Sequence, residues 1–335
     1  MLSICLITKN EEKNIARCLN SIKSIADEVI VVDTGSTDET INIAKSFGCQ
    51  VYYHPWNNDF SESRNFALDK CTKDWIFSID ADEELYIEHA NLLKNLLSNT
   101  NKEAFYLRLI NLIGDISINE TSSLRIFRNR KNYRYTGRLH EQIYLAIENN
   151  SPTKDCFEVT SFILNHYGYD HNNINMDEKI KRNIKVLECY QDHEKDGFYY
   201  YSLGNEYQKL SDPINAKECF VKALNTPSQD YGFRPYLAVS LGEVCLNLKN
   251  TKDGLNYIQF FKKEMPDFRD LYFLEAVFYN ELMDYSNSYS SLIKFTQSIP
   301  NLSKYPSFNF EQDNDVNGLL SMLKSLSEPN YNDNY

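Results

Sequence analysis

Residues 74–85, DWIFSIDADEEL, join an apolar run (Trp75, Ile76, Phe77, Ile79) to the acids Asp80, Asp82, Glu83 and Glu84. Two carboxylates separated by one residue at a strand end can face a single crevice if the chain turns there. Left bare they repel, and one is driven toward protonation. A divalent cation removes that cost. Hard carboxylate oxygens suit Mg2+ or Mn2+, which keep coordination positions open for phosphate oxygens. Rival readings meet the same residues. An EF-hand loop needs a glycine where Leu85 stands, and a phosphatase-type D-x-D pair is poorly matched by the following Glu83-Glu84. The plain alternative makes Asp82, Glu83 and Glu84 a solvated helix start, favoured by the helix dipole. From these residues alone, cation site and helix start both stand.

A second stretch, VIVVDTGSTDET, puts Asp33 where an acid can accept hydrogen bonds from a base or ribose, and Gly35 lets the backbone turn sharply. A dinucleotide fold would carry G-x-G-x-x-G after the first strand, but that place holds ITKNEE; a P-loop is likewise missing. This describes a nucleotide-type crevice without a glycine phosphate cradle, in which a metal on Asp80 and Asp82 would neutralise the phosphates.

The elements that must position these residues alternate. Strands are expected over Ser3–Thr8, Val29–Val32, from Val51 to Tyr53, and Trp75–Ile79, with helices over Glu11–Ile25, from Thr37 or Asp38 to Phe47, and Ser61–Asp69. Such alternation predicts an α/β domain, a mainly parallel sheet with helices on its faces. Ligands on these sheets bind at the carboxyl ends of the strands. Three of those ends carry polar clusters: Thr8-Lys9-Asn10-Glu11, Asp33-Thr34-Gly35-Ser36 and Asp80-Ala81-Asp82.

From about residue 176 the pattern becomes helical only, and a repeat emerges. Tyr200, Leu203-Gly204, Tyr207, Ala216, Phe220 and Ala223 have tetratricopeptide spacing. Leu241-Gly242, Cys245, Gly254, Ile258, Phe261 and Pro266 follow it more loosely, as do Tyr272, Ala276, Tyr279, Ser288, Leu292, Phe295 and Pro300. The small residues let antiparallel helices approach. Such an array offers a face to a peptide or protein, or braces the first domain.

Composition sets the outer limits. At 335 residues the chain can hold two cores, and its 42 % hydrophobic and 24 % charged residues are ordinary for a globular protein. A net charge of −12 argues against sequence-independent nucleic-acid binding. No window is apolar for the roughly 18 residues a membrane helix needs, and Met1 runs straight into a strand without a secretory n-region. The eight scattered cysteines show no C-x-x-C pair and read as reduced, packed thiols of a cytoplasmic protein.

Together CLITKNEEKNIARCLNSI, VIVVDTGSTDETINIAKSFG, DFSESRNFAL and WIFSIDADEEL, in this order and spacing, resemble family 2 glycosyltransferases of the GT-A fold. With the helical repeats, the chain is similar to the bacterial branch that includes peptide S-glycosyltransferases of glycosylated bacteriocins. The resemblance implies a GT-A domain over residues 1–170, a tetratricopeptide-like domain over 171–325 and a flexible tail over 326–335. It implies that Thr8, Lys9 and Glu11 line the nucleoside pocket, that Asp33 contacts the uracil and that Arg64 lies near the nucleotide. Asp80 and Asp82 match the D-x-D motif, with Asp82 on the metal and Asp80 on ribose or metal. Glu83 and Glu84 are then expected to begin the next helix in solvent.

A later stretch, LRIFRNRKNYRYTGRLHEQI, carries six basic residues from Arg125 to Arg138. They meet a donor diphosphate or acidic acceptor, or else form a solvated edge hairpin. His140-Glu141 stands where relatives place a late acid, commonly as ED. Glu141 is expected as general base, with His140 as a metal or substrate contact or the base itself. His166, in ILNHYGYD, is expected to complete the metal shell, whereas His54, His89, His171 and His193 read as surface or packing residues. The implied activity is inverting transfer of a hexose or N-acetylhexosamine from a UDP-sugar, with Mn2+ or Mg2+, to a Cys, Ser or Thr side chain of a peptide or protein. A cell-surface polysaccharide or lipid-linked glycan is the alternative acceptor, and a non-catalytic repeat adaptor the alternative class. A homo-oligomer stays open.

Overall fold

The strand after Met1 is β1 (Leu2–Thr8), whose run LSICLIT is buried on both faces, as a central parallel strand requires. The computed structural model containing it describes residues 1–114, 116–168, 176–228, 232–298 and 315–327. His171, Pro300, the residue-170 boundary and most of the expected tail lie outside them. The chain divides into two compact units, Met1–Cys189 and Tyr190–Tyr335. The first unit thus runs beyond residue 170.

In the first unit β1 is followed by α1 (Ile15–Ile22), β2 (Glu28–Asp33), α2 (Thr40–Ser46), β3 (Gln50–Tyr53), α3 (Phe60–Leu68) and β4 (Trp75–Ser78). Helix α1 buries Ile15, Cys18, Leu19 and Ile22, the spacing of one helical face. Asp59 caps α3 by accepting from the Glu62 amide at 3.0 Å. Then come β5 (Glu83–Leu85), α4 (Ala90–Ser98), β6 (Ala104–Ile113), β7 (Ile116–Arg128), α5 (Tyr144–Asn150), β8 (Phe157–His166) and α6 (Met176–Glu188).

Among the described residues the eight strands form one sheet in the order β3-β2-β1-β4-β7-β6-β8-β5. Strands β1 to β4 pair in parallel, β7 runs antiparallel to β4 and β6, β8 is parallel to β6, and β5 is antiparallel to β8. The mainly parallel sheet expected from the alternation is present. Successive residues feed opposite cores: Ile4, Leu6 and Phe77 pack with α1, while Cys5, Ile30 and Ile76 pack with Tyr133, Tyr135 and Ile147.

The expected helix after Asp82 is absent. Glu83 and Glu84 open β5 instead, and Glu83 is 1 % exposed. A buried carboxylate needs a partner, and Glu83 finds one in Arg125.

The second unit is helical: α7 (Gly197–Lys209), α8 (Pro213–Asn225), α9 (Arg234–Asn247), α10 (Thr251–Glu264), α11 (Asp270–Glu281), α12 (Tyr285–Gln297) and α13 (Val316–Ser327). The small repeat positions sit where partners press closest. A Cβ on Gly204 would lie 2.5 Å from the Phe220 ring, and one on Gly254 2.3 Å from the Phe278 ring. Asp196, Asp212 and Asp284 cap α7, α8 and α12. Among the described residues no helix is long and apolar enough to cross a membrane, and all eight cysteines are free thiols.

Candidate active site

The loops leaving β1 and β2 are sewn together. The Thr34 amide donates to the Thr8 carbonyl at 3.0 Å. The Thr37 amide donates to Asn10 Oδ1 at 2.8 Å, and Asn10, at φ 57°, holds the left-handed conformation this turn demands. Thr8 is buried, and its hydroxyl makes no hydrogen bond among the described residues. Lys9 is exposed. Asp33 is buried and turned back on its own loop, accepting from the Gly35 and Ser36 amides at 2.9 and 3.0 Å. Glu11 is half-buried and accepts from Asn14 at 2.9 Å. Burial and the nearby Asp82 and Asp80 carboxylates push its carboxyl up to about 7, against the Asn14 hydrogen bond.

After β4 the chain reverses in a tight turn in which the Glu83 amide donates to the Asp80 carbonyl at 3.0 Å. Glu83 returns the contact, accepting from the Asp80 amide at 3.0 Å. Asp80 spends one carboxylate oxygen on Arg64, at 2.8 Å, and the other on Arg125, at 2.9 Å. Burial raises the Asp80 carboxyl, but the two guanidiniums outweigh it and hold it well below the ordinary carboxylate range. Asp80, expected on ribose or metal, is thus neutralised by two arginines.

Arg64, expected near the nucleotide, is tied to the first acid of the D-x-D turn. It is buried on α3, and its Nε reaches Glu141 Oε1 at 2.5 Å while its other nitrogens reach Asp80 and Ser78. One planar guanidinium thus ties the first acid of D-x-D to the late acid. The Glu141 side chain is 12 % exposed. His140, at φ 57°, is exposed. The adjacent residues therefore differ sharply in environment.

Four arginines of the basic run pair with acids of the same unit, while Lys131 is exposed. Arg125 pairs with Asp80 and Glu83, Arg130 with Glu103, Arg134 with Asp69 and Arg138 with Asp59. Arg128 lies over the Trp75 ring at 3.9 Å. Of the histidines outside the site, His54 stacks on Phe66 and His89 accepts from the Ile163 amide.

His166, the last residue of β8, has Nε2 3.3 Å from Asp82 Oδ2. Its Nδ1 lies 2.6 Å from Asn111 Oδ1, which can only accept, so Nδ1 carries the proton. In the neutral ring the Nε2 lone pair then faces a carboxylate oxygen, an arrangement that calls for a proton or a cation between them. Burial disfavours the imidazolium, but Asp82, with Glu83 and Asp80 behind it, outweighs burial and raises the His166 pKa. One carboxylate oxygen and one imidazole nitrogen held by an outer hydrogen bond fit a divalent cation. Among the described residues no three His, Cys, Asp or Glu side chains gather to hold a metal unaided.

Asn111, Ser78 and the bridging roles of Arg125 and Glu83 escape sequence reasoning. Asn111 pairs with His166 between β6 and β8, and Glu83 pairs with His166 between β5 and β8. No local pattern marks that register.

The model of the family described as Glycosyl transferase family 2 matches residues 3–155. An uncharacterized glycosyltransferase of Rickettsia prowazekii is 33 % identical over 236 residues, covering 66 % of this chain and 75 % of that one. A TPR repeat-containing protein of Synechococcus elongatus is 34 % identical over 208 residues, or 61 % of this chain, which spans about half the length of that relative. The SPbeta prophage-derived glycosyltransferase SunS of Bacillus subtilis is 27 % identical over 332 residues, covering 95 % of this chain and 75 % of that one. With the sheet order and the D-x-D turn, these matches make the chain a member of the family 2 glycosyltransferases, with a GT-A fold followed by helical repeats.

Proposed function

We propose that this chain is an inverting hexosyltransferase that moves a hexose or N-acetylhexosamine from a UDP-sugar to a Cys, Ser or Thr side chain of a peptide or protein. The observation that carries the reading is the facing of Asp82 and His166 beside a D-x-D turn whose first acid is tied through Arg64 to Glu141. Thr8, Lys9, Glu11 and Asp33 form the nucleoside side of the site, and the unpartnered Thr8 hydroxyl suits a ligand hydrogen bond. Asp82 and His166 would hold Mn2+ or Mg2+, with the remaining positions left to diphosphate oxygens and water. When bound, the cation neutralises charge on the leaving diphosphate.

Glu141 takes the proton from the acceptor thiol or hydroxyl as its sulfur or oxygen bonds to the anomeric carbon. The bond from that carbon to the phosphate oxygen breaks, and the electron pair leaves with UDP. Arg64 keeps the Glu141 carboxylate oriented for this step. The peptide acceptor is supported by the resemblance of the motifs and repeats to peptide S-glycosyltransferases, and by an alignment with SunS that runs through both units. Eight free thiols suit a reducing cytoplasm.

The test is titration with UDP-glucose and UDP-N-acetylglucosamine, with and without Mn2+, followed by mass spectrometry of Cys-, Ser- and Thr-containing peptides. Metal-dependent UDP binding and a hexose-sized or N-acetylhexosamine-sized gain on a peptide are expected. UDP binding undiminished in Asp82→Ala overturns the site, and gain on glycan or lipid acceptors alone overturns the peptide.

A further inference from the structure

The residue after His166 fastens the end of β8 to the D-x-D turn through its backbone, its hydroxyl and its ring. The Tyr167 amide donates to the Asp82 carbonyl at 3.0 Å, and the Tyr167 hydroxyl donates to the Glu84 carboxylate at 2.6 Å. Its ring lies under the Arg17 guanidinium, 3.6 Å from the ring centroid. Arg17 is steadied by Asn14 Oδ1 at 2.8 Å, and Asn14 in turn donates to Glu11 at 2.9 Å. Just beyond, the backbone folds over the ligand pair. A Cβ on Gly168 would lie 2.4 Å from His166 Nε2 and 2.7 Å from Asp82 Oδ2.

We propose that Tyr167, clasped by Arg17 and Glu84, is a positioning residue that keeps His166 against Asp82 and so sets the affinity of the pair for a divalent cation. This rests on the reading of Asp82 and His166 as the cation's protein ligands. Strand pairing fixes the β8 backbone as far as His166, opposite Glu83 and beside Asn111. Past that point Tyr167 supplies the restraint. With two donors, Asp82 and His166, among the described residues, the site depends strongly on their mutual placement, because each contributes a large share of the binding energy. Loss of contacts that orient metal ligands typically costs about 10–100-fold in metal affinity.

The test is calorimetric titration of the full chain with Mn2+ at saturating UDP, with UDP affinity in metal-free buffer measured alongside. Asp82→Asn is expected to abolish Mn2+ binding. Tyr167→Ala is expected to weaken it about 10–100-fold while leaving metal-free UDP affinity unchanged. Tyr167→Phe keeps the ring and the amide, so its loss is smaller. Arg17→Gln removes the clasp from the α1 side and gives an intermediate loss, which keeps the inference testable if Tyr167→Ala does not fold. Parental Mn2+ affinity in Tyr167→Ala and Arg17→Gln, with Asp82→Asn inactive in binding, overturns the positioning role alone. An equal fall in metal-free UDP affinity overturns it too, as general disruption. Undiminished Mn2+ binding in Asp82→Asn overturns the ligand assignment beneath it.

Discussion

His166 Nε2 and Asp82 Oδ2 lie 3.3 Å apart although 84 residues separate them along the chain. Strand β5 makes the meeting possible: it leaves the D-x-D turn and pairs antiparallel with β8, setting Glu83 opposite His166. Asn111 then fixes the ring from the β6 side.

Gly168→Ala tests how tightly the chain must pass this pair. Its methyl would fall on His166 Nε2 and Asp82 Oδ2, so one of them must move away. Mn2+ affinity at saturating UDP is expected to drop about tenfold or more. The melting temperature should change little, because the contact involves side-chain ends rather than the core.

Arg64 should separate binding from turnover. Arg64→Lys keeps the charge but cannot span Asp80 and Glu141 with one planar group. The expected result is a fall of about 100-fold in kcat, the scale of a misplaced reacting group, with a small change in KM for the UDP-sugar. Arg64→Ala leaves Glu141 without its buried partner and Asp80 with Arg125 alone. Chemical denaturation should show a loss of about 3 kcal/mol or more.

Glu141→Gln keeps a hydrogen-bond acceptor for Arg64 and removes the proposed base. Steady-state kinetics should show kcat lowered by roughly 10²–10⁴ with UDP affinity retained. A variant turning over at the parental rate would move the proton acceptor elsewhere, with His140 next to be tested.

Glu103 makes a measurable contribution to acid stability. Burial raises its carboxyl, but hydrogen bonds from Arg130 and Tyr133, with the Arg130 charge, outweigh burial and hold it below the ordinary value of 4.5. A lowered folded-state pKa stabilises above the unfolded value, and that stability is lost as pH falls through the folded one. Unfolding free energy should therefore decline below about pH 4.5. Glu103→Gln should be less stable near neutrality, with a shallower acid decline in pH-dependent urea melts.

In the second unit, Gly254→Ala sets helix propensity against packing. Alanine gains about 0.5–1 kcal/mol in a helix. Its methyl would lie 2.3 Å from the fully buried Phe278 ring, however, and overpacking costs about 1–3 kcal/mol. Net destabilisation of about 1 kcal/mol is expected in thermal unfolding.

Much of this protein is written locally. The apolar runs of β1, β2 and β4, the apolar face of α1 and the small-residue spacing of α7 to α12 follow from side-chain periodicity, which acts over a few residues. The polar strand ends follow too, because a parallel sheet sends its carboxyl ends to one edge, and so Thr8, Asp33 and Asp80 could be grouped in advance. What the tertiary structure alone decided is which charges neutralise which. Glu83 and Glu84 have the local character of a helix start, yet pairing with β8 draws them into a strand and buries Glu83 against Arg125. The basic run looked available to a ligand, but four of its arginines meet acids far along the chain. Asp80 became the partner of two arginines, leaving Asp82 to face His166. Ion pairing and strand register join residues tens of positions apart, and Coulomb attraction inside a fold depends on distance in space rather than along the chain.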